Sequence, residues 1–213
     1  MNKINTSNLG WLVAAVLAGV IFGGGFQSST EKFGVADLAK VAQDSDYYVS
    51  NSKMFDHMVD IRRGLLDFFN NYKVLTSVQV KRIQELTIKD DQITASEKAE
   101  LERIKSDGIA QDKRYKELTI KANPTPEERT LMEDFTHRAQ AMDQTLEQLR
   151  GQFDAEVQTQ RDKIQTTALE RARDAVRDLG KSQGYTVIMS AVAAPYGAND
   201  ITDAALKAMN AKK

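Results

Sequence analysis

Residues 123–128 read Asn123-Pro124-Thr125-Pro126-Glu127-Glu128, and they divide the chain in two. A residue before proline is pushed out of the helical region, so Pro124 ends any helix at Asn123. Thr125 is a good N-cap. Pro126 suits the first helical position, where its missing N–H would have no partner anyway, and Glu128 completes a capping box with Thr125. A new helix therefore starts at 126. The one other proline is Pro195, so none occurs in residues 1–123. Between 52 and 183 the only glycines are Gly64, Gly108, Gly151 and Gly180. This stretch is rich in Glu, Lys, Gln, Arg, Ala and Leu, the composition of long helix. A short loop between long helices makes them antiparallel neighbours, so two arms meeting near 122–126 are expected.

Upstream, Met58, Ile61, Leu65, Phe68, Tyr72, Leu75, Gln79, Arg82 and Leu86 alternate in steps of three and four. That 3.5-residue period is the seam of a coiled coil. Gln79 and Arg82 weaken it, with Val78 and Ile83 beside them. The pattern falters at Asp90-Asp91-Gln92 and restarts after Thr94-Ala95-Ser96-Glu97, a second capping box. Leu101, Ile104, Gly108, Gln111, Tyr115 and Leu118 carry it on more weakly. Downstream, Leu131, Phe135, Met142, Leu146, Leu149, Phe153, Val157 and Ile164 mark the apolar face of the second arm. It continues through Ala168, Ala172, Val176 and Leu179 to Gly180 and Gly184, which suit a helix terminus. At a rise of about 1.5 Å per residue, a straight 52–121 arm would be about 105 Å long and 126–183 about 87 Å. The mismatch predicts a break or bend in the descending arm, placed at 90–95. The competing arrangement is a compact bundle folded back at 92.

Strand-like sequence occurs at the two ends of this region. Lys32–Leu38 alternates, with Phe33, Val35 and Asp37 on one side, and 39–51 reads as a turn and a short helix. Tyr185-Thr186-Val187-Ile188-Met189-Ser190 is rich in β-formers. Residues 191–199 form a turn or second strand, and Asp200 can cap a last helix with Ile201, Ala205, Ala208 and Met209 on one face. Isolated short strands are not stable, so the two ends must meet. The expected fold is α+β, mostly α: a small β-containing body with a long antiparallel α-helical coiled-coil hairpin. The expected divisions are 1–30, 31–51 (body, first strand), 52–184 (hairpin) and 185–213 (body, closing strands and C-terminal helix). A body this small needs staples or association. With no cysteine in the chain, a homo-oligomer with pooled strands is expected. Phe33, Val35, Tyr185, Val187, Met189, Tyr196 and Ile201 are its expected body contacts.

Residues 9–26, LGWLVAAVLAGVIFGGGF, carry no charge. They read as a secretory signal or as a single N-terminal membrane anchor. Either reading sends residues 31–213 out of the cytoplasm. Lys and Arg total 29 against 30 Asp and Glu, which speaks against binding a phosphate backbone, so no nucleic-acid partner is expected. His57 and His137 fall on opposite arms at different heights, which excludes a shared metal site in one hairpin. Glu127, Glu128, Glu133 and Asp134 sit in the first turns of a helix, where the macrodipole favours them. Gly23-Gly24-Gly25 lacks the strand and the Lys-Ser/Thr of a phosphate loop. No nucleophile–base pair can be named, so neither an enzyme nor a cofactor is expected.

Lys32-Phe33-Gly34-Val35-Ala36-Asp37-Leu38-Ala39-Lys40-Val41 resembles the first strand and turn of the Skp (OmpH-like) periplasmic chaperones. Gly184-Tyr185-Thr186-Val187-Ile188-Met189 and Tyr196-Gly197-Ala198-Asn199-Asp200-Ile201-Thr202-Asp203 are similar to that family's closing strands and helix. The order of elements also matches. The resemblance implies a homotrimer with a β-rich body and three helical tentacles. These would enclose a cavity that holds unfolded outer-membrane proteins without ATP, in the periplasm or tethered to the inner membrane. The aromatic group Phe68, Phe69 and Tyr72 reads as packing of the coiled coil or body; the sharper alternative is client contact, with Phe69, off the seam, at the cavity mouth. Arg62, Arg63, Arg171, Arg173 and Arg177 are expected to pair with Asp60, Asp67, Asp174 and Asp178. Two features depart from the family. The hairpin is long, with extra sequence around 90–125. Residues 52–184 hold 23 Lys and Arg against 24 Asp and Glu, where the family's tentacles are basic. The alternative function is a membrane-anchored coiled-coil adaptor that bridges to a partner complex.

Overall fold

The computed structural model describes residues 31–194 and 199–212. The reading of residues 1–30 as signal or anchor lies outside them. No helix of the described residues is long and apolar enough to cross a membrane. The elements are β1 (Phe33–Ala36), α1 (Leu38–Gln43), α2 (Asp46–Asn71), α3 (Ser77–Ile88), α4 (Ala95–Thr119), α5 (Pro126–Ser182), β2 (Val187–Ser190) and α6 (Thr202–Ala211). A 3₁₀ turn, Asp90–Gln92, joins α3 to α4. The fold is mostly α with one small parallel sheet.

The caps at 94 and 125 form as their residue types dictate. Thr94 accepts from the Glu97 amide and Thr125 from that of Glu128, and each Glu side chain accepts from its N-cap amide. α5 then runs unbroken for 57 residues, about 85 Å. It ends where Gly184 takes φ +71 and the Tyr185 amide donates to the Gly180 carbonyl at 2.9 Å, a left-handed termination that glycine makes without a Cβ clash.

The descending arm differs from the expected single break. It breaks at 89–94, and also at 72–76, where the seam reads straight through. Thr76 caps α3 in a third capping box with Gln79. The chain therefore reverses at both breaks. The His57 ring Nε2 lies 2.8 Å from an Asp90 carboxylate oxygen, a contact impossible within one helix for residues 33 apart. Arg82 Nε and Nη2 donate to the Glu100 carboxylate at 2.9 and 2.7 Å, which sets α3 antiparallel to α4. Arg62 to Glu156 and Lys73 to Asp143 set α2 antiparallel to α5. Arg114 to Glu128 does the same for α4 and α5. The middle of the arm is thus an up-down-up-down four-helix bundle: the long hairpin keeps its apex between α4 and α5, and its descending arm also folds back near 92 as in the competing arrangement. Each helix of the folded-back pair finds the partner that a hairpin reading denies it.

The bundle core holds Leu65 and Phe69 of α2, Leu75, then Val80, Ile83 and Leu86 of α3, Leu101 of α4, and Met142, Leu146, Leu149 and Phe153 of α5. Gly108 of α4 lets Leu75 pack close: a Cβ there would fall 2.4 Å from Leu75 Cδ2. Nearer the tip, Val74, Leu118 and Phe135 form a smaller cluster. Glu97 at the α3–α4 turn receives a hydrogen bond from Lys89 and another from the Thr94 amide, which together hold its carboxyl down to about 2. A depressed carboxyl favours the folded turn above the ordinary value of 4.5, and that contribution is lost as pH falls toward 2. A carbonyl-carbon NMR titration is expected to place the Glu97 midpoint near 2, rising toward the ordinary value in Lys89→Ala. An unchanged midpoint in that variant would assign the depression to the cap alone.

In the body, β1 pairs in parallel with β2, Phe33 opposite Val187 and Ala36 opposite Ser190. On its other edge, the Val35 amide donates to the Asn199 carbonyl at 2.9 Å and the Ile201 amide to that of Val35 at 2.8 Å. The crossover between the strands is the entire arm. α1 and α6 pack on the base of α5 through Ala42 and Val41, Ala205 and Met209, against Ala168, Ala172, Ala175 and Val176. The Asp37 side chain caps α1, and Asp200 Oδ1 accepts from the Thr202 amide at 2.9 Å at the start of α6.

Candidate functional site

Between body and bundle, α2 and α5 form a neck. Among the described residues a groove runs along each flank of this pair, one of them reaching α1 at the body. One, of about 560 Å³, is lined by Ala42, Tyr48, Phe55, Arg161, Ile164 and Leu169 among others. The second, of about 320 Å³, has Tyr47, Met54, Phe55, Met58, Lys163 and Ile164. Phe55 and Ile164 form the ridge between them. Met54 is 70% exposed, and the Arg161 guanidinium stands 5.8 Å from the Phe55 ring centroid. Methionine fits irregular apolar surfaces because its side chain is unbranched and polarisable. The sequence reading left Met54, Phe55 and Ile164 out of the candidate set. The available signal was Met54, an apolar residue outside the seam.

Above the neck, Arg62 donates through Nε to Glu156 at 2.8 Å and lies 5.5 Å from the Phe153 ring. It pairs across the arm with Glu156, and not with the neighbouring aspartates. Arg63 pairs with Asp60 at 3.0 Å and Arg177 with Asp174 at 2.6 Å, as expected. Arg171 stacks on Tyr47 at 4.2 Å. Three of the five arginines thus meet a carboxylate, and Arg171 meets an aromatic ring in place of the expected aspartate.

The aromatic group divides. The Phe68 and Tyr72 rings stack obliquely with centroids 4.9 Å apart, and both are half-buried. Phe69 is fully buried, 0% exposed, in the bundle core. The expectation that it stands off the seam at a cavity mouth is corrected: folding back of α3 and α4 covers the flank that a two-helix arm would leave open.

The expected body contacts divide too. Val35 and Ile201 are buried within the chain's own body, at 5% and 4% exposure. Tyr185 is half-buried beneath the Lys32 ammonium, 4.0 Å from its ring centroid. Phe33, Val187 and Met189 are exposed on the sheet. Among the described residues, β2 has no strand on its outer edge. Tyr196 lies outside the described residues. His57 bonds Asp90 and His137 is exposed on α5, so the two do not meet. Among the described residues no group of three His, Asp or Glu side chains is placed to hold a metal.

The sequence matches the family described as outer membrane protein (OmpH-like) over residues 32–209, from β1 to the last turn of α6. No curated protein matches the chain. No solved structure matches it either.

Proposed function

The chain belongs to the OmpH-like family, and from that premise we propose that it is an ATP-independent, extracytoplasmic holdase for unfolded outer-membrane proteins. The observation that carries this reading is the family match across body and arm together. The neck supports it with open grooves on both flanks, where Phe55, Met54, Met58 and Ile164 sit among polar side chains and a client segment can lie. Phe68 and Tyr72 add partly exposed rings higher on the arm. Contacts of this kind are individually weak. Several arms acting together convert them into slow release by raising the effective concentration of each next contact.

Multiple arms require association of bodies, and a homotrimer is the assembly we propose. The exposed row Phe33, Val187 and Met189 beside the unpaired edge of β2 supports it. An open edge with apolar side chains is a template for pairing with another chain. The neutral charge of the arm shifts the proposed recognition toward apolar contact and away from long-range attraction.

Purified protein is expected to suppress aggregation of a urea-denatured β-barrel protein on dilution, at near-stoichiometric ratio and without ATP, as read by light scattering. Met54→Ser combined with Phe55→Ser is expected to weaken suppression severalfold with far-UV circular dichroism unchanged. Unabated aggregation with the intact protein would sink the reading.

A further inference from the structure

We propose that the face of the α2–α5 pair now covered by α3 is itself a client-binding groove. In this proposal α3 occupies it as an exchangeable stand-in for an amphipathic apolar segment of a non-native chain. The inference rests on the holdase reading and names where on the arm the client sits.

α3 is only 12 residues long. A helix of that length is marginal alone in water, so its packing holds it in place. What it inserts is one aliphatic stripe, Val80, Ile83 and Leu86, exposed by 8%, 0% and 0%. This stripe meets Leu65, Phe69, Met142, Leu146, Leu149 and Phe153 of the α2–α5 pair in one cluster. The face of α2 and α5 receives an apolar stripe presented by one short segment. The groove thus displays, in its own chain, the chemistry that it accepts. The rest of α3 is not built as a buried strut, because Val78 and Ile88 stand 76% and 52% exposed.

The polar fastenings of α3 are superficial; its apolar stripe is what seats it. Arg82–Glu100, Lys89–Glu97 and His57–Asp90 all involve partly exposed groups, and such ion pairs contribute little to holding an element. Both ends of α3 are joints. Tyr72 to Thr76 is non-helical, and Asp90 in the other joint takes φ +50, a left-handed conformation that few residues except Gly, Asn and Asp adopt readily. α3 can therefore leave without unwinding α2 or α4, provided that an incoming apolar segment covers the face that Ile83 and Leu86 cover now. Entry is already begun by a cleft of about 480 Å³ between α3 and α5, floored by Leu75, Val80 and Met142.

The chain has no cysteine, so full-length R82C/E100C can be bridged cleanly by a bis-maleimide with a cleavable disulfide spacer. The unbridged variant should suppress aggregation. Bridging should reduce suppression at least fivefold, and cleavage with reductant should restore it. Equal suppression by fully bridged protein would overturn the inference. If the unbridged variant itself fails to suppress, the holdase reading fails, and the groove is judged by binding alone. The probe is then a fluorescent peptide of residues 77–88, offered to full-length Ile83→Asp and to the bridged protein. At least tenfold tighter binding to Ile83→Asp supports an exchangeable occupant. Equal binding overturns it, as does loss of the arm's helical circular dichroism in Ile83→Asp, which would make α3 a structural strut.

Discussion

Replacing Phe69 with alanine is expected to lower the stability of the arm by about 3–5 kcal/mol, the range for a fully buried aromatic truncated in a core that cannot collapse around the gap. Phe69 is 0% exposed, and its ring lies 6.1 Å from that of Phe68 in the same cluster as Ile83, Leu86, Met142 and Leu146. Helices from four directions fix the walls of that site, so relaxation on one side opens space on another. Phe68→Ala, at a half-buried position, should cost clearly less. Urea unfolding followed by far-UV circular dichroism measures both. A two-helix coiled coil gives the opposite ranking, because Phe68 lies on its seam and Phe69 does not. The pair of variants thus distinguishes the two arm structures without a structure determination.

The second large effect concerns the body. Ala172 is fully buried where α1 and α6 dock on α5, and Ala168, Ala175, Ala42 and Ala205 surround it. Close approach of three helices depends on those small side chains. Ala172→Leu adds three carbons at a fully buried position between packed helices, which costs about 1–3 kcal/mol by overpacking. The cost falls on the seats of α1 and α6. Hydrogen exchange should therefore quicken in 38–43 and 202–211 and stay unchanged in 77–119. The body core and the bundle core are separate clusters, so Ala172→Leu and Phe69→Ala should add nearly independently. Quickened exchange throughout the arm would show instead that the two cores unfold as one.

Much of this architecture was legible from local chemistry. The caps at Thr94 and Thr125 and the terminator at Gly184 each rest on a hydrogen bond or a backbone angle that a few adjacent residues decide. The pairing of the chain ends followed from strand-like residues that needed partners. The break at Thr76 was not read, because periodicity alone cannot separate one long helix from two that share a phase. Tyr72, Leu75, Gln79, Arg82 and Leu86 keep heptad spacing across the turn. The available sign was polarity: Gln79 completes a cap and Arg82 reaches Glu100, and neither points into a seam. The arithmetic of arm lengths called for a break or bend at 90–95, which the turn at 89–94 meets, but not for the fold-back of α3. Exposure was the least legible property. Phe69 and Met54 have similar hydrophobicity, yet one is buried and the other open, because Phe69 is covered by a fold-back that the periodicity did not show. The neck grooves were invisible for the same reason: they exist where that covering stops.

A pulsed electron–electron distance between spin labels at H57C and D90C tests the folded-back bundle directly, since no native cysteine interferes. The His57–Asp90 contact places the two labels on adjoining elements, and the account predicts a single distribution below about 25 Å, allowing for the label arms at the short axial spacing. A continuous helix from 57 to 90 would separate them by about 50 Å at 1.5 Å per residue. A dominant population near that length would contradict the account.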